Sequence, residues 1–367
     1  MTIVGDRVEL QLLTTLKCNL SCTYCSMAVG DVIQKNAPPP TYSVQQLQSF
    51  VRTHLDTPDT PRDVYITFYG GEPTLNIPFM HQVMEAFPLY RFQLQTNGTL
   101  LDNVPSVILR NLSNILVSID GGQTITDGYR GKGIYKQVLK HIQHIRPLTD
   151  ATITARVTYS NPQTTFEELD ELTKLTDYLY FQFVADAQYE DITLRYPLLD
   201  AMVDKFFAQP LYPIVPLMGI VRNKLFPSLQ YTPKTLTQCR ASTHLINVMP
   251  DGEIYPCPDM LYDKSLRMGS VTQNELAITP FHNAQPTVCT SCEAYSWCRT
   301  NCLKNLLLAE KYDDYASTVV NPICELVKYL GRAIDRHDLH DFYKKLTVPQ
   351  RQKLRNAEIY DYVEIMP

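Results

Sequence analysis

The chain has 367 residues, 44% of them hydrophobic, and a formal net charge of −5, so it can bury a large core and shows no excess of Lys and Arg for nucleic-acid binding. No apolar stretch approaches the roughly 20 residues that cross a membrane, and the charged N-terminus MTIVGDRVEL does not resemble a signal peptide. We therefore expect a cytoplasmic protein that binds neither nucleic acid nor membrane.

Six β-rich runs recur along the first half of the chain, separated by segments long enough for helices. Alternation of strands and helices at this pitch predicts βαβ units on a parallel sheet. Six units, rather than eight, predict an α/β fold of the partial (β/α)6 TIM-barrel type. The predicted strands are VELQLLTTL (8–16), DVYITFYGG (63–71), RFQLQTNGTL (91–100), NILVSIDGG (114–122), ATITARVTY (151–159) and YLYFQFVAD (178–186). Predicted helices between them include SVQQLQSFVRTHL, KGIYKQVLKHIQHI and TFEELDELTKL, the first and last with Ser43 and Thr165 as N-caps.

Polar and glycine-rich clusters follow the predicted strands at the points where those strands end. In a parallel barrel these ends carry the chemistry. Asp186, at the end of the sixth run, and the nearby Glu190 are therefore candidate catalytic acids or bases. The alternative is that both are solvated loop carboxylates.

The ten cysteines are grouped, with three near the N-terminus and seven between Cys239 and Cys324. Because a reducing compartment disfavours disulfides, grouped cysteines indicate metal ligands. The first group, Cys18, Cys22 and Cys25, has the spacing C-x3-C-x2-C. Taken alone, this spacing fits an iron–sulfur cluster, a zinc site completed by a distant residue, or chance.

The cysteine loop, with Tyr24 before its last cysteine, and the Gly70-Gly71-Glu72-Pro73 motif on the next strand run resemble the radical S-adenosylmethionine (SAM) superfamily. The resemblance covers residues 8–187. It implies that the three thiolates hold three irons of a [4Fe–4S] cluster, whose fourth iron binds the amino and carboxylate groups of SAM. A reduced cluster in this family cleaves SAM to a 5′-deoxyadenosyl radical, which abstracts a hydrogen atom from its substrate.

The same resemblance implies a set of SAM contacts. Tyr24 lies near the adenine, and Glu72, beside Gly70 and Gly71, accepts from the methionine amino group. Ser118 contacts the ribose, while Arg130 and Arg156 are candidates for the methionine carboxylate. For Ser118, Asp120 and Asn97, capping of strand ends and turn formation is an equal alternative to SAM contact.

The seven later cysteines have two interpretations. Alone they favour zinc sites completed by a histidine, but together with the first group they resemble the SPASM extension of radical SAM enzymes. That resemblance implies two auxiliary [4Fe–4S] clusters, and therefore three clusters in the chain. Its ligand sets are Cys289, Cys292, Cys298 and Cys324 for one cluster, and Cys239, Cys257 and Cys302 for the other. The latter lacks a fourth thiolate, which leaves a non-cysteine residue, water or a substrate atom for that position.

Four regions are expected along the chain. They are the radical SAM partial barrel (1–208), a linker marked by prolines (209–234), the SPASM region (235–330), which begins with a hairpin around Pro250-Asp251-Gly252, and a C-terminal helical segment (331–367).

Enzymes with the SPASM extension mostly modify peptides, so the resemblance implies a maturase that cross-links or excises part of a ribosomally made precursor peptide, as splicease-like enzymes do. Only seventeen residues precede Cys18, so leader recognition is expected to need a separate partner protein or the barrel surface. A ferredoxin or flavodoxin is the expected electron donor. The alternatives are a formylglycine-generating enzyme of the sulfatase-maturing type, which usually has an additional cysteine, and a non-catalytic zinc or iron–sulfur scaffold.

Overall fold

The computed structural model describes residues 7–59, 61–159, 161–184, 189, 191–229, 239–278, 287–298, 300 and 302–356. The candidate catalytic residues Asp186 and Glu190 lie outside these ranges, and their role stays a prediction. None of the described helices is long and apolar enough to cross a membrane.

The described chain forms ten strands and fourteen α-helices. The strands are Arg7–Thr15 (β1), Asp63–Gly70 (β2), Arg91–Thr96 (β3), Leu112–Ser118 (β4), Thr152–Tyr159 (β5), Tyr178–Phe183 (β6), Leu245–Val248 (β7), Glu253–Tyr255 (β8), Gly269–Ser270 (β9) and Glu275–Leu276 (β10). The α-helices are Val44–His54 (α1), Ile77–Ala86 (α2), Ser106–Asn111 (α3), Gln123–Arg130 (α4), Ile134–Ile145 (α5), Phe166–Thr173 (α6), Tyr196–Ala208 (α7), Val215–Leu225 (α8), Thr287–Thr290 (α9), Tyr295–Cys298 (α10), Leu303–Lys311 (α11), Asn321–Asp335 (α12), Leu339–Lys345 (α13) and Val348–Asn356 (α14).

All six predicted strand runs overlap observed strands, and the three quoted helices form where they were predicted. Local chemistry explains the helix starts. Ser43 accepts a hydrogen bond from the Gln46 N–H while the Gln46 side chain accepts from the Ser43 N–H, and Thr165 and Glu168 make the same reciprocal pair. Each capping box satisfies two N–H groups at its helix start.

The chain divides into two compact units, which do not follow the predicted domain boundaries. The first unit contains Met1–Ile119, Thr126–Ile153 and Arg240–Pro280, and the second contains Asp120–Ile125, Thr154–Cys239 and Phe281–Pro367. The predicted SPASM region therefore contributes residues to both units.

In the first unit, parallel pairing joins β1 to β2, β2 to β3 and β3 to β4. On its other side β1 pairs in parallel with β7, and β7, β8, β9 and β10 continue as antiparallel neighbours. The predicted hairpin thus forms between β7 and β8, and its first strand covers the backbone groups of β1 that would otherwise be an open sheet edge.

In the second unit β5 and β6 pair in parallel. The segment predicted as a linker (209–234) contains helix α8, Val215–Leu225, whose residues 215–223 are all buried. Pro216 stands in the first turn of α8, where a proline costs no hydrogen bond. The proline signal therefore marked a helix start rather than an exposed connection.

Candidate functional site

Cys18, Cys22 and Cys25 lie on the segment directly after β1, called the cluster loop (residues 18–25), and all three are partly exposed. Burial raises the pKa of the Cys18 thiol, and the nearby Glu72 carboxylate and Cys25 thiol raise it further. The Leu20 N–H, which lies 3.4 Å from the Cys18 sulfur, opposes this shift. A crowded thiol of this kind suits a metal ligand, because a bound cation takes the place of its proton.

The Gly70-Gly71-Glu72 motif is attached to the start of the cluster loop. The Gly71 N–H donates to the Thr15 carbonyl at 3.0 Å, and the Glu72 N–H donates to the Lys17 carbonyl at 2.8 Å. Gly70 has a φ of +124°, and a Cβ at Gly71 would lie 2.1 Å from the Lys17 carbonyl oxygen. The two glycines are therefore required because the backbone at 70–71 lies too close to the backbone at 15–17 to leave room for a side chain.

Glu72 is fully buried, with 0% exposure, and its two oxygens have unequal numbers of partners. Oε1 accepts from the Thr74 N–H, the Thr74 hydroxyl and the Thr96 hydroxyl, at 3.1, 2.6 and 2.8 Å. Oε2 accepts from the Asn97 N–H at 2.8 Å. Burial raises the pKa of Glu72, and these hydrogen bonds oppose that rise. Because a carboxylate oxygen has two lone pairs, Oε2 keeps acceptor capacity for a further donor. An ammonium group of a ligand can use it only when the atoms that cover Glu72 move aside.

A closed set of amide and hydroxyl bonds connects the cluster loop to the end of β3. The Asn97 Oδ1 accepts from the Thr99 N–H and hydroxyl at 2.9 and 2.6 Å, and its Nδ2 donates to the Asn19 Oδ1 at 2.9 Å. Asn19 Nδ2 in turn donates to the Thr99 hydroxyl at 2.8 Å. The same Asn97 Nδ2 lies 3.9 Å from the Cys18 sulfur. The sequence indicated Asn97, but Asn19 and Thr99 were missed because isolated polar residues carry no spacing signal.

Tyr24 and Arg130, both predicted SAM contacts, meet each other. The Arg130 guanidinium donates to the Tyr24 hydroxyl, and the Tyr24 ring packs edge-on against the Tyr129 ring with centroids 5.3 Å apart. Arg130 is buried. In this structure Arg130 therefore stabilises the cluster loop, and its predicted contact with a SAM carboxylate stays a prediction.

Ser118 and Asp120 occupy the end of β4 and the residues just after it. Ser118 is the last residue of β4, in the first unit. Asp120 belongs to the second unit, where its buried Oδ1 accepts from the Thr158 N–H at 3.2 Å. Asp120 thus binds the backbone of β5, and its predicted contact with SAM stays a prediction.

Arg156 lies on β5 in the second unit. Its guanidinium donates to the Gln182 Oε1 at 2.5 Å and lies over the Tyr180 ring, 5.2 Å from the centroid. Both partners come from β6. Gln182 thus orients Arg156, although nothing in its sequence context distinguished it from other strand residues.

Four cysteines of the second unit lie near one another. Burial raises the pKa of the Cys298 thiol, and the Cys324, Cys289 and Cys292 thiols raise it further. The Ala294 N–H lies 3.4 Å from the Cys292 sulfur. These are the four cysteines that the sequence grouped into one ligand set, and their binding of one cluster stays a prediction. α10 ends at Cys298, and α12 carries Cys324.

The other predicted ligand set is distributed differently. Cys257 is buried in the first unit, whereas Cys239 and Cys302 belong to the second. Within the part of the chain that the structure describes, no three Cys, His, Asp or Glu side chains are grouped closely enough for one metal ion. A four-iron cluster needs no such grouping, since each thiolate binds a different iron.

Replacing Gly71 with alanine should remove the first cluster. The new Cβ would lie 2.1 Å from the Lys17 carbonyl oxygen, so the backbone that begins the cluster loop must move. We expect the loss of about four irons per chain after anaerobic reconstitution, measured by iron and sulfide analysis.

Gly128→Ala is the matched control for this variant, because a Cβ at Gly128 meets no atom within 4 Å. In helix α4 the added methyl group should stabilise the protein slightly. Equal iron contents in the two variants would contradict the role of close packing at Gly71.

Residues 12–176 match the family model described as the radical SAM superfamily. The chain carries a radical SAM domain. A radical SAM domain implies a [4Fe–4S] cluster and SAM as cofactors, and the three thiols of the cluster loop and the Glu72 carboxylate provide suitable donors for them.

The chain is also similar to other proteins over most of its length. The chain is 24% identical over 328 residues to the mycofactocin maturase MftC of Mycolicibacterium smegmatis, covering 79% of this chain and 76% of MftC. The structure of anSMEcpe with bound AdoMet matches with a TM-score of 0.71 at 19% identity, covering 96% of this chain and 99% of that one. Streptococcus suis SuiB bound to the precursor peptide SuiA matches with a TM-score of 0.59 at 15% identity, covering 83% and 73%. The predicted α/β fold of the radical SAM type is confirmed.

Proposed function

We propose that this protein is a radical SAM peptide maturase, which cleaves SAM reductively and modifies a ribosomally made precursor peptide. One observation carries the proposal. The segment that leads into the cluster loop is hydrogen-bonded to Glu72, a buried carboxylate whose Oε2 can accept a further hydrogen bond, and both lie within the residues that match the radical SAM superfamily. Two relatives supply the substrate class, since MftC is named a maturase and SuiB was solved with a precursor peptide.

In this proposal each residue of the first unit has a defined task. Cys18, Cys22 and Cys25 hold three irons, and Glu72 Oε2 accepts from the methionine ammonium of SAM. Tyr24 lies near the adenine, with Arg130 on its hydroxyl. Bound together, the cluster and SAM supply hydrogen-atom abstraction from an unactivated C–H bond, and the chain contributes positioning and exclusion of water.

The remaining SAM contacts rest on the resemblance in sequence. They are Gly70, Gly71, Asn97, Ser118, Asp120 and Arg156. For Asn97, further support comes from its backbone N–H, which donates to the Glu72 Oε2. For Arg156, support comes from the two β6 side chains that hold its guanidinium in one orientation.

We also propose two auxiliary [4Fe–4S] clusters, which gives three in the chain. Cys289, Cys292, Cys298 and Cys324 would close one of them, and the mutual effect of their thiols on the pKa of Cys298 supports this set. Cys239, Cys257 and Cys302 would hold the other, a proposal that rests on the resemblance to the SPASM extension.

The proposal includes partners and a compartment. A separate leader-recognition protein would present the precursor peptide, and a ferredoxin or flavodoxin would supply electrons. A reducing cytoplasm suits the grouped thiols, because oxidation to disulfides would remove iron ligands.

Anaerobic reconstitution tests the proposal. It should give about twelve irons per chain, and addition of dithionite and SAM should release 5′-deoxyadenosine. Co-expression with a short peptide encoded beside this gene should then change the mass of that peptide. A fully reconstituted protein that cleaves no SAM would contradict the proposal, and an aldehyde on a sulfatase peptide would favour the formylglycine-generating alternative.

A further inference from the structure

Helix α5 and the segment just before it present a row of exposed side chains that we call the basic stripe: the cationic Lys132, Lys136 and Lys140, together with His144. Lys136, Lys140 and His144 recur every fourth residue and so share one face of α5, and Lys132 lies just before the helix. All four are exposed. Within the described ranges none of the four side chains makes an ion pair or hydrogen bond. α5 contains no Asp or Glu, although Asp102 lies 3.4 Å from His141 of this helix and Asp127 accepts hydrogen bonds at its start. The three lysines outnumber these two carboxylates, so the stripe is locally positive on a chain of net charge −5.

The start and inner face of α5 are firmly held in the first unit. The Asp127 carboxylate accepts from the Gly133 and Tyr135 N–H groups, both at 2.9 Å. Further along the helix, His141 Nδ1 lies 3.0 Å from the Gly98 carbonyl oxygen. The helix is therefore anchored to the loop after β3, and the stripe has a fixed position relative to that loop.

A chain of contacts runs from α5 to a cluster ligand. Gln137, next to Lys136, donates to the Thr99 carbonyl at 2.9 Å. The Thr99 hydroxyl donates to the Asn97 Oδ1 at 2.6 Å, and the Asn97 Nδ2 lies 3.9 Å from the Cys18 sulfur. Only two residues therefore separate the helix that carries the stripe from Cys18.

The orientation of the Asn97 amide in this path is determined by the backbone. The Thr99 N–H is an unambiguous donor, and it lies 2.9 Å from the Asn97 Oδ1. The amide nitrogen must then be the atom that faces the Asn19 Oδ1 and the Cys18 sulfur.

We propose that the basic stripe is the docking surface for an acidic one-electron carrier protein of the ferredoxin or flavodoxin class. This inference rests on the proposed function, because it assumes a cluster on Cys18, Cys22 and Cys25. The carrier loses one electron and the cluster gains it, with no bond made or broken. A positive surface next to the cluster loop steers an acidic partner to the site and fixes its orientation there.

The test compares two reductants in the reconstituted holoenzyme. In Lys136→Glu/Lys140→Glu, the rate of cluster reduction by a reduced flavodoxin, followed by stopped-flow absorbance, should fall at least about tenfold at low salt. Reduction by dithionite and dithionite-driven SAM cleavage should be unchanged. Flavodoxin binding, measured by calorimetry, should weaken in parallel, and salt should weaken the wild type more than the variant.

Lys174→Glu/Lys345→Glu is the control, since it makes the same charge change at two exposed lysines away from α5, each of which pairs with an acidic neighbour. It should behave like the wild type with both reductants. An unchanged rate with flavodoxin in the stripe variant, or an equal loss with the control, would overturn the proposal. So would weaker binding of an acidic precursor peptide with normal flavodoxin reduction, which would assign the stripe to the peptide. If the wild type fails to cleave SAM with dithionite, the proposed function is wrong, whereas flavodoxin binding still tests the docking surface.

Discussion

Glu72→Gln should weaken SAM binding roughly a hundredfold, or about 3 kcal/mol, while the iron content stays near that of the wild type. The carboxylate is fully buried, and one of its oxygens has acceptor capacity that the protein does not use. In the variant an amide NH2 group would replace that oxygen and face two donors, the Asn97 N–H and the SAM ammonium. The cysteine ligands are unchanged, so cluster assembly should continue. Equilibrium dialysis of SAM against the reconstituted protein measures the effect.

Glu85→Gln is the matched control, because Glu85 is an exposed carboxylate on α2 whose partner is His81. This variant should bind SAM like the wild type. Normal SAM affinity in Glu72→Gln would remove Glu72 from the binding site, and loss of iron in that variant would assign it a structural role instead.

The same carboxylate predicts the direction of a pH effect. Burial raises the pKa of Glu72, so on acidification this group becomes neutral earlier than an ordinary glutamate. An ammonium ligand prefers the charged form, and SAM affinity should therefore fall on acidification, beginning at a higher pH than for an ordinary glutamate. The stability of the protein without SAM should change in the opposite direction. Because folding raises the pKa of Glu72, the folded state should become more stable as the pH falls and this carboxylate is protonated. Glu72→Gln should lose the pH dependence of binding.

The sequence predicted the elements whose residues repeat a local pattern. The sequence of β1 is a mostly apolar run with a few polar residues, and such runs indicate buried strands of a parallel sheet. Likewise Ser43 and Gln46 have the spacing of a capping box, so the start of α1 was predictable. The spacing of Cys18, Cys22 and Cys25 predicted a cluster loop for a related reason, because ligands of one cluster often come from a short segment.

Contacts between residues far apart in the sequence could not be predicted in this way. Asn19 and Thr99 are eighty residues apart and meet only because β1 and β3 end on the same side of the sheet. Gln182 is likewise one polar residue in a strand, whose role appears only with Arg156 beside it. Residues 209–234 were predicted as a linker because of Pro210, Pro213 and Pro216, and α8, whose residues 215–223 are all buried, has little polar face to reveal a helix.

Cys298→Ala and Cys324→Ala should each lower the iron content from about twelve to about eight per chain, and the double variant should lower it no further. Both thiols belong to the group whose charges act on one another, so loss of either ligand should empty the same cluster. Iron and sulfide analysis after anaerobic reconstitution gives the count. SAM cleavage by dithionite should persist, because the cluster loop is unchanged.

Cys302→Ala provides the contrast, since Cys302 belongs to the other proposed ligand set. Combined with Cys298→Ala, it should leave about four irons per chain, because changes at independent sites add and changes at one site do not. If the iron losses of Cys298→Ala and Cys324→Ala added up in the double variant, the two thiols would belong to different clusters. If the four-cysteine group instead held zinc, neither single variant would change the iron count, and each would lose about one zinc ion per chain.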